Sequence, residues 1–406
     1  MTSVLNGLRV LDLSWVVAGP LIGRTLADFG AEVIRVESSV RIETARLMPP
    51  FQGGEQGVEN SMLYGNANAG KRGITVDLSS EAGRKVVAAL ASKADVLIES
   101  FSPGLMARWG LDFDTLSAGN PGLIMLSTSL MGQSGPLSTL AGFGNIGASA
   151  SGFQNLVGYA DRLPFGPFGP YTDYVGPRLA LVALLAALAD RDSTGTGRYL
   201  DVSQVEAGVF FLSPQCAHYF ADGVIAQRQG NADTAYAPHG VYPSRSEDGT
   251  DRFVAVAVTE DVQWPRLADV IGRLDLLEDK SMDSVAGRRS ARDDLDKAIA
   301  QWTRARTAAE AERALQEAGV PAHRSASSQD FTEDEQLVHR GHLVSVPHSL
   351  HGHVTVEGPR YRLSRTPGGP RTGAPTLGQH NNAVLADELG YSADEIADLH
   401  AAGTLN

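Results

Sequence analysis

Residues 9–13 (RVLDL) and 32–37 (EVIRVE) are short apolar runs on either side of a helical stretch, residues 19–29, that Gly30 stops. A strand, a glycine-terminated helix and a second strand in that order make a βαβ unit, because parallel neighbours in one sheet need a crossover connection. The pattern then repeats. NANAGKRGITVDLSS, a helical segment at 86–91 and ADVLIESF read as loop, strand, helix and strand, and residues 121–129 (PGLIMLSTS) read as another strand buried on both faces. The expected fold class is therefore α/β, with a large Rossmann-like parallel sheet whose ligands gather at the carboxyl ends of its strands.

A chain of 406 residues exceeds what one hydrophobic core usually holds, so two domains are expected. Composition shifts at residues 230–243 (GNADTAYAPHGVYP), a linker with little apolar periodicity. A strand at 253–258 follows, then helices at 262–273, 291–302 and 308–318, the last opened by a capping box from Thr307 to Glu310. These read as a smaller second domain.

Several chemistries are disfavoured by what the sequence lacks. The turn after the first strand, AGPLIG, is not G-x-G-x-x-G, which argues against a dinucleotide. No G-x-S-x-G is completed near Ser134 or Ser149, so a serine hydrolase is not expected. His339, His342, His348, His351 and His353 straddle a proline and a glycine without cysteine or carboxylate at ligand spacing, and no metal is expected. With 34 Lys plus Arg against 47 Asp plus Glu, the net charge of -13 argues against nucleic-acid and anionic-membrane partners. The single cysteine, Cys216, rules out an internal disulfide framework, fits a reducing compartment and reads as core. The first residues carry no export pattern, and a cytoplasmic protein is expected.

The chemistry is expected at Asp173. It follows a run of glycine, proline and aromatics (FGPFGPYTDY) and precedes Pro177, which suits a first helical turn. Residues 179–188 are apolar on all sides, as in a buried helix, and with Arg178 and Asp190 flanking them they fall short of the roughly 20 residues of a membrane span. A carboxylate at a helix start gains about 0.3 to 1 kcal/mol from the dipole, which keeps it ionised and able to act as a nucleophile. From spacing alone the position favours a helix cap, for which Asp is a preferred residue.

VLDLSWVVAGPLIGRTLADFGAEVIRVE, TDYVGPRLALVALLAAL with TGTGRYLDVSQVEAG, and the closing LGQHNNAVLADELGYSADEIADL resemble the family III CoA-transferases. The resemblance runs from Leu8 to Leu405. It implies that residues 1–225 and 329–406 form one large domain around a small domain at 226–328, and that two chains interlock as a homodimer, with a heteromer of homologous chains as the alternative. It implies Asp173 as nucleophile, forming an aspartyl anhydride and then an aspartyl-CoA thioester, with coenzyme A and acyl-CoA as substrates and no permanently bound cofactor. The backbone of Val17 and Ala18 would lie against CoA, Lys71 and Arg72 would approach its phosphates, and Arg108 would meet a phosphate. SFSPG parallels the family's Asn-Phe-Arg-Pro-Gly, with Ser100 and Ser102 as departures and Phe101 walling the pantetheine channel. Trp15, Phe143 and Tyr171, with Phe165, Phe168 and Tyr174, would line the acyl pocket and favour a bulky or aryl acid, with a small diacyl donor such as succinyl-CoA, as in the benzylsuccinate-type branch. The family's racemases place His and Asp where this chain has Phe143 and Gly144, and a phenyl ring carries no proton. Non-catalytic subunits of two-chain transferases lack the Asp that is present here. The glycine-rich flap of some relatives is missing.

Overall fold

A computed structural model describes residues 3–405 of the chain. Strand β1 (Arg9–Asp12), helix α1 (Ala18–Asp28) and β2 (Glu32–Glu37) open it. Helix α2 (Met62–Asn68) leads to β3 (Arg72–Thr75), then α3 (Glu81–Ala91) and β4 (Val96–Glu99). Helices α4 (Leu105–Trp109) and α5 (Phe113–Gly119) precede β5 (Ile124–Ser129). Helices α6 (Gly144–Ala150), α7 (Phe153–Leu156) and α8 (Tyr171–Thr194) return the chain to β6 (Tyr199–Ser203), followed by α9 (Gln204–Phe211) and α10 (Ser213–Asp222).

Strands β1 to β6 form one parallel sheet in the order β3-β2-β1-β4-β5-β6, with Leu11 opposite both Ile34 and Leu97, and Leu97 opposite Met125. Successive side chains face opposite ways, so each strand feeds two cores. Leu11, Ile74, Leu97 and Met125 pack on one face with Val86, Leu90, Val384 and Leu385, whereas Val10, Val33, Ile98 and Ile124 pack on the other with Ile22, Leu26, Ala180 and Leu184. Burial on both faces is why the strands read as unbroken apolar runs.

The chain divides into two compact units. One takes the sequence up to Gln154, Gly166–Ile225 and everything from Glu335 onward; the other takes Asn155–Phe165 and Ala226–Asp334. The second unit holds an antiparallel sheet of β7 (His239–Pro243), β8 (Phe253–Ala257) and β9 (Ala322–Arg324). Around it lie α11 (Gln263–Val270), α12 (Val285–Ser290), α13 (Arg292–Arg304), α14 (Ala308–Glu317) and α15 (Ser328–Glu333), with Trp264, Leu267, Ile299 and Leu315 in its core. Both arms of the Thr307–Glu310 capping box form. The first unit resumes with α16 (Glu335–Arg340), the hairpin β10 (Leu343–His348) and β11 (Gly352–Glu357), α17 (Asn381–Leu389) and α18 (Ala393–Ala401).

Three local expectations are corrected. Helix α8 begins at Tyr171, so Asp173 sits inside its first turn and Pro177 inside the helix rather than at its start. At 24 residues α8 is long enough to cross a bilayer; it is placed here by packing against the sheet, and one of its faces is exposed at Val182 and Leu185. Cys216 is half-buried on α10, a helix with no buried residue, and is not core.

Candidate active site

Asp173 reaches a cleft of about 520 Å³ through the third position of α8. Its side chain is buried, and its Oδ2 accepts the N–H of Gly144 at 3.1 Å. Burial raises its pKa to about 6, against the opposing pull of the Gly144 N–H and the side-chain amide of Gln204. The helix-start argument of the sequence predicted a lowered value; removal of water from the carboxylate outweighs it here. Asp173 is nonetheless mainly ionised at neutral pH. A reaction that needs the carboxylate should therefore lose rate as pH falls below about 6, approaching tenfold per unit. A profile of kcat/KM against pH that stays flat down to about pH 4.5 would contradict that assignment.

Glycines bring the three helices together at this point. A Cβ on Gly144 would strike the Pro170 carbonyl and lie 2.8 Å from the amide nitrogen of Asp173; one on Gly147 would strike the Thr172 hydroxyl and one on Gly208 the Ser151 hydroxyl. Only a bare backbone lets α6 carry its first N–H up to the carboxylate. Gly144, which the sequence showed as a missing acid, is thus a donor whose side chain has no room to exist. Gln204 was not anticipated either, because a polar residue behind Ser203 reads as an ordinary helix start. Ser203 caps α9 by accepting the Glu206 N–H at 3.2 Å.

Trp15, Val17 and Ala18 line the same cleft, as do Ser100, Phe101, Phe143 and Gln204. A second cleft of about 440 Å³ adjoins it at the carboxyl ends of β1 to β4 and shares Trp15, Arg41, Ser100, Phe101 and Ser102 with the first. Its walls are mainly apolar, with Leu13, Val36, Val76, Leu78 and Trp109. Phe101 stands between Trp15 and Trp109, with ring centroids 6.4 and 5.3 Å away, and the Ser100 hydroxyl accepts the backbone N–H of Trp15 at 2.8 Å. Arg41 lines both clefts with its guanidinium 5.1 Å from the Trp15 ring, and the sequence reading passed over it.

Val16 has a φ of 67°, a left-handed conformation that a β-branched residue rarely adopts. Glu43 holds it, accepting the Val16 N–H at 2.7 Å while its other oxygen pairs with Arg35 at 3.0 Å. The bend turns Val17 and Ala18 into the cleft, and no side chain caps the start of α1.

Several predicted site residues are placed otherwise. Lys71 is buried, and its Nζ donates to Asp12 at 2.7 Å, to the Pro20 carbonyl at 2.8 Å and to Asn68 at 2.8 Å. An ammonium has three protons, all are used, and none is left for a phosphate. Arg72 opens β3, at the amino end of the sheet away from the clefts, where Glu32 and Glu388 take its guanidinium. Tyr171 packs edge-on against Phe153 at 4.9 Å and is not part of the cleft wall. Phe165 and Phe168 are exposed. Arg108 lies exposed on the last turn of α4, outside the lining of both clefts. Among the described residues no group of His, Cys, Asp and Glu is arranged to hold a metal.

Residues 5–381 match the family description "CoA-transferase family III". The chain belongs to this family. It is 33% identical over 398 residues to the succinyl-CoA--D-citramalate CoA-transferase of Chloroflexus aurantiacus, covering 98% of this chain and 97% of that one. Identity is also 33% over 398 residues to the alpha subunit of the succinyl-CoA--L-malate CoA-transferase of Chloroflexus aurantiacus, covering 98% of this chain and 91% of the subunit. A crystal structure of a CAIB/BAIF family protein from Brucella suis superposes with a TM-score of 0.86 at 29% identity, covering 96% of this chain and 100% of that one. The chain is thus a CoA-transferase enzyme whose substrates are CoA thioesters.

Proposed function

We propose that this chain moves CoA from succinyl-CoA to a second carboxylic acid, with Asp173 carrying the acyl group and then CoA. The observation that carries the reading is a buried, donor-bound carboxylate at the head of α8, opening on a cleft continuous with an apolar one at the carboxyl ends of the sheet. The apolar cleft suits the adenine end of CoA, Phe101 and Trp15 the pantetheine arm, and Arg41 a phosphate, with Arg108 a further cation outside the clefts. The open start of α1 at Val17 and Ala18 offers backbone N–H groups to the thioester.

In the first step the Asp173 carboxylate attacks the donor carbonyl; its C–O bond forms as the C–S bond breaks, and CoA leaves as thiolate with the electron pair. The thiolate then attacks the aspartyl carbonyl of the anhydride, forming aspartyl-CoA and releasing the donor's carboxylate. An acceptor carboxylate repeats both steps in reverse order. No proton, oxidant or metal is consumed, and one difficult exchange becomes a series of easier acyl transfers.

Relatives named for succinyl-CoA support that donor. Trp15 and Phe143 leave an aromatic-sided space for an alkyl or aryl substituent on the acceptor; with Tyr171 turned away, the enclosure is looser than six aromatics would make it. Incubation with succinyl-CoA and hydroxylamine should leave a hydroxamate on Asp173, and a panel of acids should show substituted mono- and dicarboxylates preferred over formate and oxalate. An active preparation with Asp173 unmodified would refute the mechanism, and a formate or oxalate preference would refute the pocket reading.

The α9 and α10 helices expose Phe210, Phe211, Tyr219 and Phe220, the last 84% accessible. Such a patch needs a cover, and a second copy of the chain, interlocked with the first, is the cover proposed. Light scattering of the purified chain should give twice the 43.0 kDa monomer mass. A monomer that dimerises only with a homologous second chain would favour the heteromeric arrangement instead.

A further inference from the structure

We infer that the side-chain amide of Gln204 is a catalytic donor that, with the Gly144 N–H, stabilises the oxyanion formed when the acylated carbonyl of Asp173 is itself attacked. The inference rests on the reading of Asp173 as nucleophile. Gln204 is the first residue of α9, its side chain is buried, and it lines the cleft beside Asp173. The Thr172 hydroxyl shares its one proton between the Gly144 carbonyl at 3.2 Å and the Gln204 Oε1 at 3.3 Å, and the stem of Gln204 packs beside Gly176 of α8. An ionised carboxylate accepts only, so with Oε1 turned to Thr172 the NH₂ half is the one available to Asp173, whose pKa the Gln204 side chain draws down against burial. The amide oxygen has its partner in Thr172 before any substrate arrives, and placement in advance is the condition under which a neutral donor stabilises developing charge efficiently.

The placement is selective among the steps. When Asp173 attacks the donor, negative charge builds on the substrate's oxygen and leaves the aspartyl carboxyl. When CoA thiolate attacks the aspartyl anhydride, or an acceptor carboxylate attacks aspartyl-CoA, charge builds on the aspartyl oxygen that Gly144 and Gln204 serve. In the first of these the C–S bond forms as the C–O bond breaks and the donor's carboxylate departs with the electrons; in the second the C–O bond forms and CoA departs as thiolate. No proton or co-reactant is needed.

The test is rapid quench of enzyme mixed with succinyl-CoA alone, following free thiol and covalently bound CoA by intact mass. For Gln204→Leu we expect acylation at close to the wild-type rate, with free thiol persisting at one per site, while bound CoA and net transfer fall by about 100-fold or more. Gln204→Met keeps the unbranched side-chain shape and removes the donor, and should behave alike if the leucine variant folds poorly. Net transfer within about threefold of wild type in the methionine variant, or an equal slowing of the first and later steps, would overturn the inference. Wild-type enzyme that never carries a group on Asp173 would instead refute the nucleophile reading, and this inference with it.

Discussion

Asp173→Ala is expected to lower transfer by a factor on the order of 10⁴ or more while CoA binds as before, because the change removes the nucleophile and none of the proposed CoA contacts. The same change should not weaken the fold. Burial raises the folded pKa of Asp173 to about 6 from an ordinary 3.8, so the fold disfavours the charged form. Below the ordinary value both folded and unfolded chains hold the proton and no penalty exists; the penalty grows as pH rises toward about 6 and is complete above it. Urea unfolding should therefore show the variant gaining on wild type at pH 8 and gaining less at pH 5. A variant that loses both stability and CoA affinity at pH 8 would mark Asp173 as a helix cap with a structural task.

The parallel sheet was legible because each strand is buried on both faces, which turns strand geometry directly into apolar runs such as VLIE at β4. The start of α8 was not. Proline is usual in a first turn, and Pro177 drew the helix boundary to itself; here it sits six residues in, withholding from the Asp173 carbonyl the N–H that a continuous helix would supply. The pair Lys71 and Arg72 misled for a related reason. Adjacent basic residues look like one patch in a sequence, yet Lys71 enters the core beneath α1 and Arg72 meets the acids at the amino edge of the sheet. Nothing in charge or spacing distinguishes an ammonium destined for three buried acceptors from one free to meet a phosphate. Gly144, Gly147, Gly176 and Gly208 were visible as small residues on helices, but only their meeting at one crossing explains them.

Lys71→Met should accordingly cost the protein its fold rather than its ligand, by about 3 to 5 kcal/mol, the usual effect of removing one partner of a buried ion pair. Burial pulls the Lys71 ammonium down to about 8, with Asp12 opposing the fall, so it remains protonated at neutral pH. Burial alone would raise Asp12, but Lys71 and Arg35 together hold it below the ordinary range. Methionine fills a similar volume, yet it leaves Asp12 with Arg35 at 3.4 Å as its remaining cation and strips a donor from Asn68 and from the Pro20 carbonyl. Unfolding in urea should show the midpoint falling with little change in slope, and CoA titration of the protein that remains folded should give an affinity near wild type. Undiminished stability with a tenfold or greater loss of CoA affinity would return Lys71 to the phosphate role that its position in the sequence suggested.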